Sequence, residues 1–219
     1  WKLNGHEEAP GKEKELGEIL DITDLAQFVY IRQRSPKGDG HAILQAAEIV
    51  GDEPCAIFFG DDLIDADQPA IAQLMETYEE YKAPVVCVEE KPEDQLSSYG
   101  IVAGDKIDEN TLKLTDLVEK PAPGKAPSNL AILARYIITP EIFEILAKTE
   151  AGKDGEIRLA DALKEHAKNN AVYARKLKGT WYDCGNKVEY LKAIVNYGLK
   201  HKDLNGDFKK YLKTISSDQ

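Results

Sequence analysis

Soft metal ligands and redox side chains are scarce in this 219-residue chain, which has three cysteines and four histidines. Cys55, Cys87 and Cys184 are odd in number, well separated and free of CxxC spacing. They therefore make neither a disulfide framework nor a thiolate metal site, and the expectation is reduced thiols and a cytoplasmic protein. His6, His41, His166 and His201 are scattered, which leaves a zinc cluster without support. Long apolar runs are missing too. None approaches the roughly 20 residues that a helix needs to span a bilayer, and residues 1–6 show no signal-peptide core. Positive charge is short: 28 Lys and Arg stand against 39 Asp and Glu, a net charge of -11. Nucleic acid and anionic membranes, which need a positive footprint, are not expected partners. No internal repeat or low-complexity tract occurs. A hydrophobic content of 42% with 31% charged residues is ordinary for a soluble globular protein, and the length suits one α/β domain with a sizeable core.

What is present is an alternation of strand-like and helix-like segments. Helical patterning covers about 12–20, 41–50, 68–82, 141–148, 157–168, 188–200 and 207–212. Strand patterning covers 28–32, 55–59, 85–88, 100–103, 113–119, 129–138 and 172–177, with the longest linker at 121–128. Strands alternating with helices imply a mostly parallel sheet, and the helix-free stretch between 100 and 119 implies an antiparallel addition. The expected architecture is α/β, three αβα layers around a mixed sheet, with 1–219 as a single domain.

Several segments carry chemistry. Ala56-Ile57-Phe58-Phe59-Gly60-Asp61-Asp62 reads as a central parallel strand running into two carboxylates. Ligands of open α/β sheets sit at such strand ends, where Asp61 and Asp62 suit a hard divalent cation such as Mg²⁺; a helix N-cap is the plainer alternative. Lys37-Gly38-Asp39-Gly40-His41-Ala42 is a glycine-rich turn into a helix, with neither Walker nor Rossmann spacing. It could let the backbone approach a base or a phosphate, with the Gln33 amide pairing to a base edge, or be an ordinary helix entry. Val118-Glu119-Lys120-Pro121 ends an apolar-patterned segment. Its carboxylate could accept sugar hydroxyls and its ammonium bind a phosphate, or the two could form a solvated surface pair. Tyr182-Asp183-Cys184-Gly185-Asn186-Lys187 precedes an amphipathic helix. Asp183 is either its N-cap or a second carboxylate for the cation at Asp61, and Cys184 is a packing residue with no basic group to ionise it. Asp154-Gly155-Glu156-Ile157-Arg158-Leu159-Ala160-Asp161 reads as a capped helix start with Glu in its first turn.

Taken together, these segments resemble the bacterial-type UTP–glucose-1-phosphate uridylyltransferases, also called UDP-glucose pyrophosphorylases. The resemblance further includes Ile31-Arg32-Gln33, Val50-Gly51-Asp52-Glu53-Pro54, Ser98-Tyr99-Gly100 and Pro127-Ser128-Asn129-Leu130-Ala131, and the motifs fall in the family's order from about residue 11 to about 212. It implies a Rossmann-like nucleotidyltransferase fold and the substrates UTP and glucose 1-phosphate, whose phosphate attacks the α-phosphorus to give UDP-glucose and pyrophosphate. By motif, Gln33 and Gly38 would contact uracil, Asp61 and Asp183 would hold Mg²⁺, Gly100 and Glu119 would bind glucose, and Lys120 its phosphate. Asp61, Lys120 and Asp183 are thereby the expected catalytic set, with homo-oligomer formation left open. Other readings are a thymidylyltransferase or related sugar-1-phosphate nucleotidyltransferase, and a non-catalytic sugar-phosphate-binding module. The Gly-x-Gly-Thr-Arg loop and the Pro-Lys-Glu segment with which family members begin are absent from this sequence. The expectation is therefore an N-terminally truncated chain that makes no UDP-glucose by itself.

Overall fold

The computed structural model describes residues 13–152 and 154–217, in two compact units divided after Arg34. The first unit holds helix α1 (Glu13–Asp24), longer than the 12–20 expected from sequence, where residue 12 lies outside the described residues. The expected strand at 28–32 does not form. Phe28, Val29 and Tyr30 are exposed in an irregular stretch, because β-prone residues become a strand only where a ladder partner satisfies their backbone, and the described residues of this unit hold none.

The second unit begins with two short helices, α2 (Asp39–Leu44) and α3 (Ala47–Val50), in place of one helix over 41–50. There follow β1 (Cys55–Phe58), β2 (Asp62–Asp65), α4 (Ala70–Tyr81), β3 (Val85–Glu90), β4 (Gly100–Lys106), β5 (Thr111–Glu119) and β6 (Leu130–Ile138). The chain continues through α5 (Pro140–Lys148), α6 (Leu159–Ala167), β7 (Tyr173–Lys176), β8 (Thr180–Asp183), α7 (Lys187–Lys200) and α8 (Asn205–Ser217).

Strand β6 organises the main sheet, whose order is β1-β6-β3-β7-β5-β4. One edge of β6 pairs with β3; the other pairs with β4 at Leu130 and Ala131, then with β1 from Arg135 to Ile138. The sheet is mixed, as expected, but not mostly parallel: among the described residues only β3 and β7 run parallel. The reading of β1 as a central parallel strand is likewise corrected. Among the described residues β1 pairs only with β6, antiparallel, and buries alternate residues. A short apolar run does not encode its neighbour or its direction.

Helices α5 and α6 cover one face of the sheet and α4 the other. Val86, Val88, Ile132 and Ile138 pack with Ile142, Leu146, Leu159 and Leu163 on the first face. Val85, Cys87, Leu133 and Ile137 pack with Leu74 and Trp181 on the second. Successive residues of β3 thus serve opposite faces, which is why Val85-Val86-Cys87-Val88 is continuously apolar. Strands β2 and β8 form a separate two-stranded ladder.

Gln73 fixes the approach to β8. It lies on α4, 1% exposed, and its Nε2 donates to the carbonyls of Gln68 and Lys178, both at 2.9 Å. Its Oε1 accepts the Lys178 N–H at 2.9 Å. Gln73→Leu keeps the helix but leaves these backbone groups without their partner. Urea unfolding is expected to show a loss of about 1–3 kcal/mol with an unchanged slope.

Candidate active site

After β1 the chain turns through Phe59 and Gly60 and enters β2, not a helix, so neither Asp61 nor Asp62 is an N-cap. The β2–β8 register sets Asp62 opposite Asp183, and the Cys184 N–H extends the ladder to the Asp61 carbonyl at 2.8 Å. Both remaining carboxylates then face Gly185. A Cβ added there would stand 3.0 Å from Asp183 Oδ1 and 3.6 Å from Asp61 Oδ2. The Gly185 N–H donates to Asp183 Oδ1 at 3.0 Å and the Tyr99 hydroxyl to Oδ2 at 3.3 Å. Burial, with Asp183 adding to it, pushes the Tyr99 hydroxyl up to about 12, so it remains a donor. Asp183 is not the cap of α7. That is Asn186, whose Oδ1 accepts from Val188 N at 2.9 Å and Glu189 N at 3.3 Å.

Asp62 points elsewhere. It is buried, and its Oδ1 accepts the indole N–H of Trp181. Its carbonyl accepts from Arg135 Nη2 at 2.6 Å, while Arg135 Nη1 donates to the carbonyls of Phe59 and Ala134. Asp62 thus ties β2 to β8 and leaves Asp61 and Asp183 to present the pair. Among the described residues no set of three or more His, Cys, Asp or Glu side chains is arranged to hold a metal ion. Two converging carboxylates fit a hard cation such as Mg²⁺, which keeps waters and takes phosphate oxygens for the rest of its shell.

A second part of the site is built where β4 starts and β5 stops. Gly100 pairs with Glu119, and a Cβ on Gly100 would lie 2.8 Å from Glu119 Oε2 and 3.2 Å from Ile132 Cδ1. Glycine is what lets the carboxylate lie over this backbone. Burial raises the Glu119 pKa, Lys120 lowers it, and Asp39 raises it again. Lys120 follows in the left-handed region at φ 44°, its N–H bonded to the Tyr99 carbonyl at 3.1 Å. This strained bend and Pro121 end the strand and leave the ammonium exposed.

The glycine-rich turn serves the segment around Ile157. Gly38, at φ 95°, could not bear a Cβ, which would fall 2.4 Å from the Ile157 carbonyl oxygen; one on Gly40 would be 2.8 Å from Arg158 C. The Gly40 N–H is engaged by the Ile157 carbonyl at 3.0 Å and by Asp39 Oδ1 at 2.8 Å. The Gly40 donor at this helix start is therefore already used within the protein. Asp39 Oδ1 also accepts the Leu159 N–H at 3.4 Å, so α6 is capped from a distant segment. Glu156 lies before α6 and pairs with Arg158 at 3.0 Å, not in the first helical turn as expected.

Gly38, Asp61, Gly100, Glu119, Lys120 and Asp183 line one cavity of about 370 Å³. Residues 6–199 match the family model for nucleotidyl transferases. The UTP–glucose-1-phosphate uridylyltransferase of Staphylococcus epidermidis is 40% identical over 208 residues, 95% of this chain and 72% of that protein. The chain belongs to the UTP–glucose-1-phosphate uridylyltransferase family. A family member of the same name from Pseudomonas aeruginosa is 41% identical, over 92% of this chain and 72% of that protein. A crystal structure of UDP-glucose pyrophosphorylase complexed with UDP-glucose superposes with a TM-score of 0.83 at 40% identity, covering 89% of this chain and 75% of that one.

Of the site residues expected from the family motifs, only Gln33 belongs to the first unit; it is half-buried. Sequence reasoning missed Asp39, Tyr136, Arg158 and Trp181, which also line the cavity. Asp39 and Arg158 sat inside motifs singled out for other residues; Tyr136 fell within the expected strand 129–138, and Trp181 lay outside every expected element. Cys184 is half-buried beside the carboxylates, and burial raises its thiol pKa, in keeping with a packing role.

Asp62 supplies a test of the site's electrostatics. Burial pushes its carboxyl up from 3.8 to about 6; Asp61 and Asp183 add to the rise, while Trp181 and Arg135 oppose it. The folded chain therefore holds a proton that the unfolded chain has released, and stability falls as pH rises through this window. Asp62→Asn keeps an acceptor for Trp181. In metal-free buffer it is expected to abolish that slope, gaining on the order of 2–3 kcal/mol over the parent at pH 7.5 compared with pH 3.5. Urea titrations at the two pH values measure it.

Proposed function

We propose that this chain is the catalytic framework of a uridylyltransferase that joins UTP and glucose 1-phosphate to give UDP-glucose and pyrophosphate. The observation that carries the reading is one cavity lined both by two converging carboxylates and by a glutamate–lysine pair. The chemistry asks for such a layout. Two polyanionic substrates must be brought together and neutralised, and the attacking phosphate oxygen is already ionised, so no general base is required.

In this reading the Lys120 ammonium grips the phosphate of glucose 1-phosphate, and the Glu119 carboxylate accepts hydroxyls of the sugar. Gly38 receives the uracil. Asp61 and Asp183 hold Mg²⁺, which when bound neutralises charge on the phosphate oxygens. The phosphate oxygen of the sugar phosphate forms a bond to the α-phosphorus of UTP as the bond to the pyrophosphate oxygen breaks. Three unpaired cysteines support a cytoplasmic, reducing location.

Calorimetric titration with UDP-glucose, with and without Mg²⁺, tests the assignment. Binding strengthened by Mg²⁺ is expected, and Asp61→Asn or Asp183→Asn should reduce that strengthening about tenfold or more, in line with a lost charged ligand. The absence of UDP-glucose binding at millimolar concentration would refute the reading; tighter binding of dTDP-glucose would move it to thymidylyl transfer.

The sugar end has its own test. Lys120→Ala is expected to weaken glucose 1-phosphate binding by about 1.5–3 kcal/mol, the worth of a charge-assisted hydrogen bond. Glu119→Gln should weaken UDP-glucose while sparing UDP. Unchanged affinities in both variants would reduce the pair to a solvated surface couple.

A further inference from the structure

Asp39 is held by its neighbours in a way that capping α6 does not exhaust. Gly38 and Gly40 on either side are pressed against the backbone at 157–159, where neither could carry a Cβ without moving it. Asp39, between them, helps to line the cavity. Two backbone donors, Gly40 N at 2.8 Å and Leu159 N at 3.4 Å, converge on Oδ1 and fix the carboxylate plane. Neither of these two donors reaches Oδ2.

The other charged groups around it do not satisfy that oxygen. Arg158 lines the same cavity, but its Nη2 is engaged by Asp154 and Glu156. Glu119 is a second carboxylate lining the cavity, close enough that Asp39 disfavours its ionisation. Burial raises the pKa of Asp39 itself, while the backbone donors and Arg158 oppose the rise. A ligand suited to two half-buried carboxylates is neutral and rich in hydroxyl donors, and a sugar ring is such a ligand.

We propose that Asp39 reads the sugar, its Oδ2 accepting a hydrogen bond from a ring hydroxyl of the glucosyl group. Glu119 takes other hydroxyls from its own side of the cavity. This rests on the uridylyltransferase reading above and adds a specificity-determining residue to it. With two carboxylates near the sugar, the site also favours neutral sugars over those that carry a carboxylate.

Asp39→Asn separates sugar reading from capping, because the amide oxygen still accepts Gly40 N–H and Leu159 N–H while the charge is lost. Dissociation constants for UDP and UDP-glucose, with the thermal midpoint as control, are measured on the parent chain and the variant. The expected result is UDP-glucose weakened about fivefold to twentyfold, the scale of one charge-assisted hydrogen bond, with UDP and the midpoint unchanged. Among the 3-, 4- and 6-deoxyglucose analogues of UDP-glucose, the one lacking the hydroxyl read by Asp39 binds the parent weakly and loses nothing further in the variant. Equal effects on UDP and UDP-glucose, or no effect on either, would overturn the proposal and leave Asp39 a helix cap. A parent chain that binds neither ligand would remove the uridylyltransferase reading, and the proposal with it.

Discussion

The pairing of β2 with β8 is the constraint on which the site depends. Each strand is only four residues long, and nothing in their composition advertises a ladder. Their register puts Asp62 opposite Asp183, and the bond from Trp181 to Asp62 locks it. A slip of one residue would turn Asp183 to the other face and part it from Asp61. Trp181 is itself held edge-on by Tyr99 at 5.3 Å and covered by the Lys91 ammonium at 4.3 Å. Since Tyr99 also donates to Asp183, the aromatic packing and the carboxylate geometry are one arrangement.

That arrangement gathers charge of one sign. Asp61, Asp62 and Asp183 lie together, and the protein relieves the repulsion unevenly. It buries Asp62 so that its carboxyl is protonated more readily, and leaves Asp61 exposed and Asp183 half-buried. Elsewhere in the cavity, Lys120 in a left-handed bend and the missing side chain of Gly100 set the Glu119–Lys120 pair. Backbone strain and steric permission are concentrated where substrate would sit, while the αβα layers supply the rigid support.

The glycine-rich turn shows why a motif can be legible without its mechanism being so. From sequence, Gly38 and Gly40 suggested backbone open to a base or a phosphate. In the fold both are needed because the segment at 157–159 comes too close for a Cβ. Gly38 also lines the cavity, so packing and ligand approach share one residue. Asp39 emerges only from this closeness, since its bond to Leu159 spans 120 positions of sequence.

Local pattern alone determined a good deal. The apolar run at 85–88, the long strand at 130–138 and the amphipathic helices over 70–81 and 140–148 follow from periodicity and burial, and these supply the layers. The ordered motifs around Asp61, Glu119 and Asp183 identified the family. Tertiary structure decided the rest, because strand direction, register and side-chain facing are set by partners distant in sequence. It made β1 antiparallel to β6, left 28–32 without a ladder in its own unit, and created β2 and β8 from segments too short and polar to be seen. It also chose between adjacent aspartates. Composition cannot tell Asp61 from Asp62, but one is buried against Trp181 and the other faces Gly185, and only the fold brings those two neighbours to them.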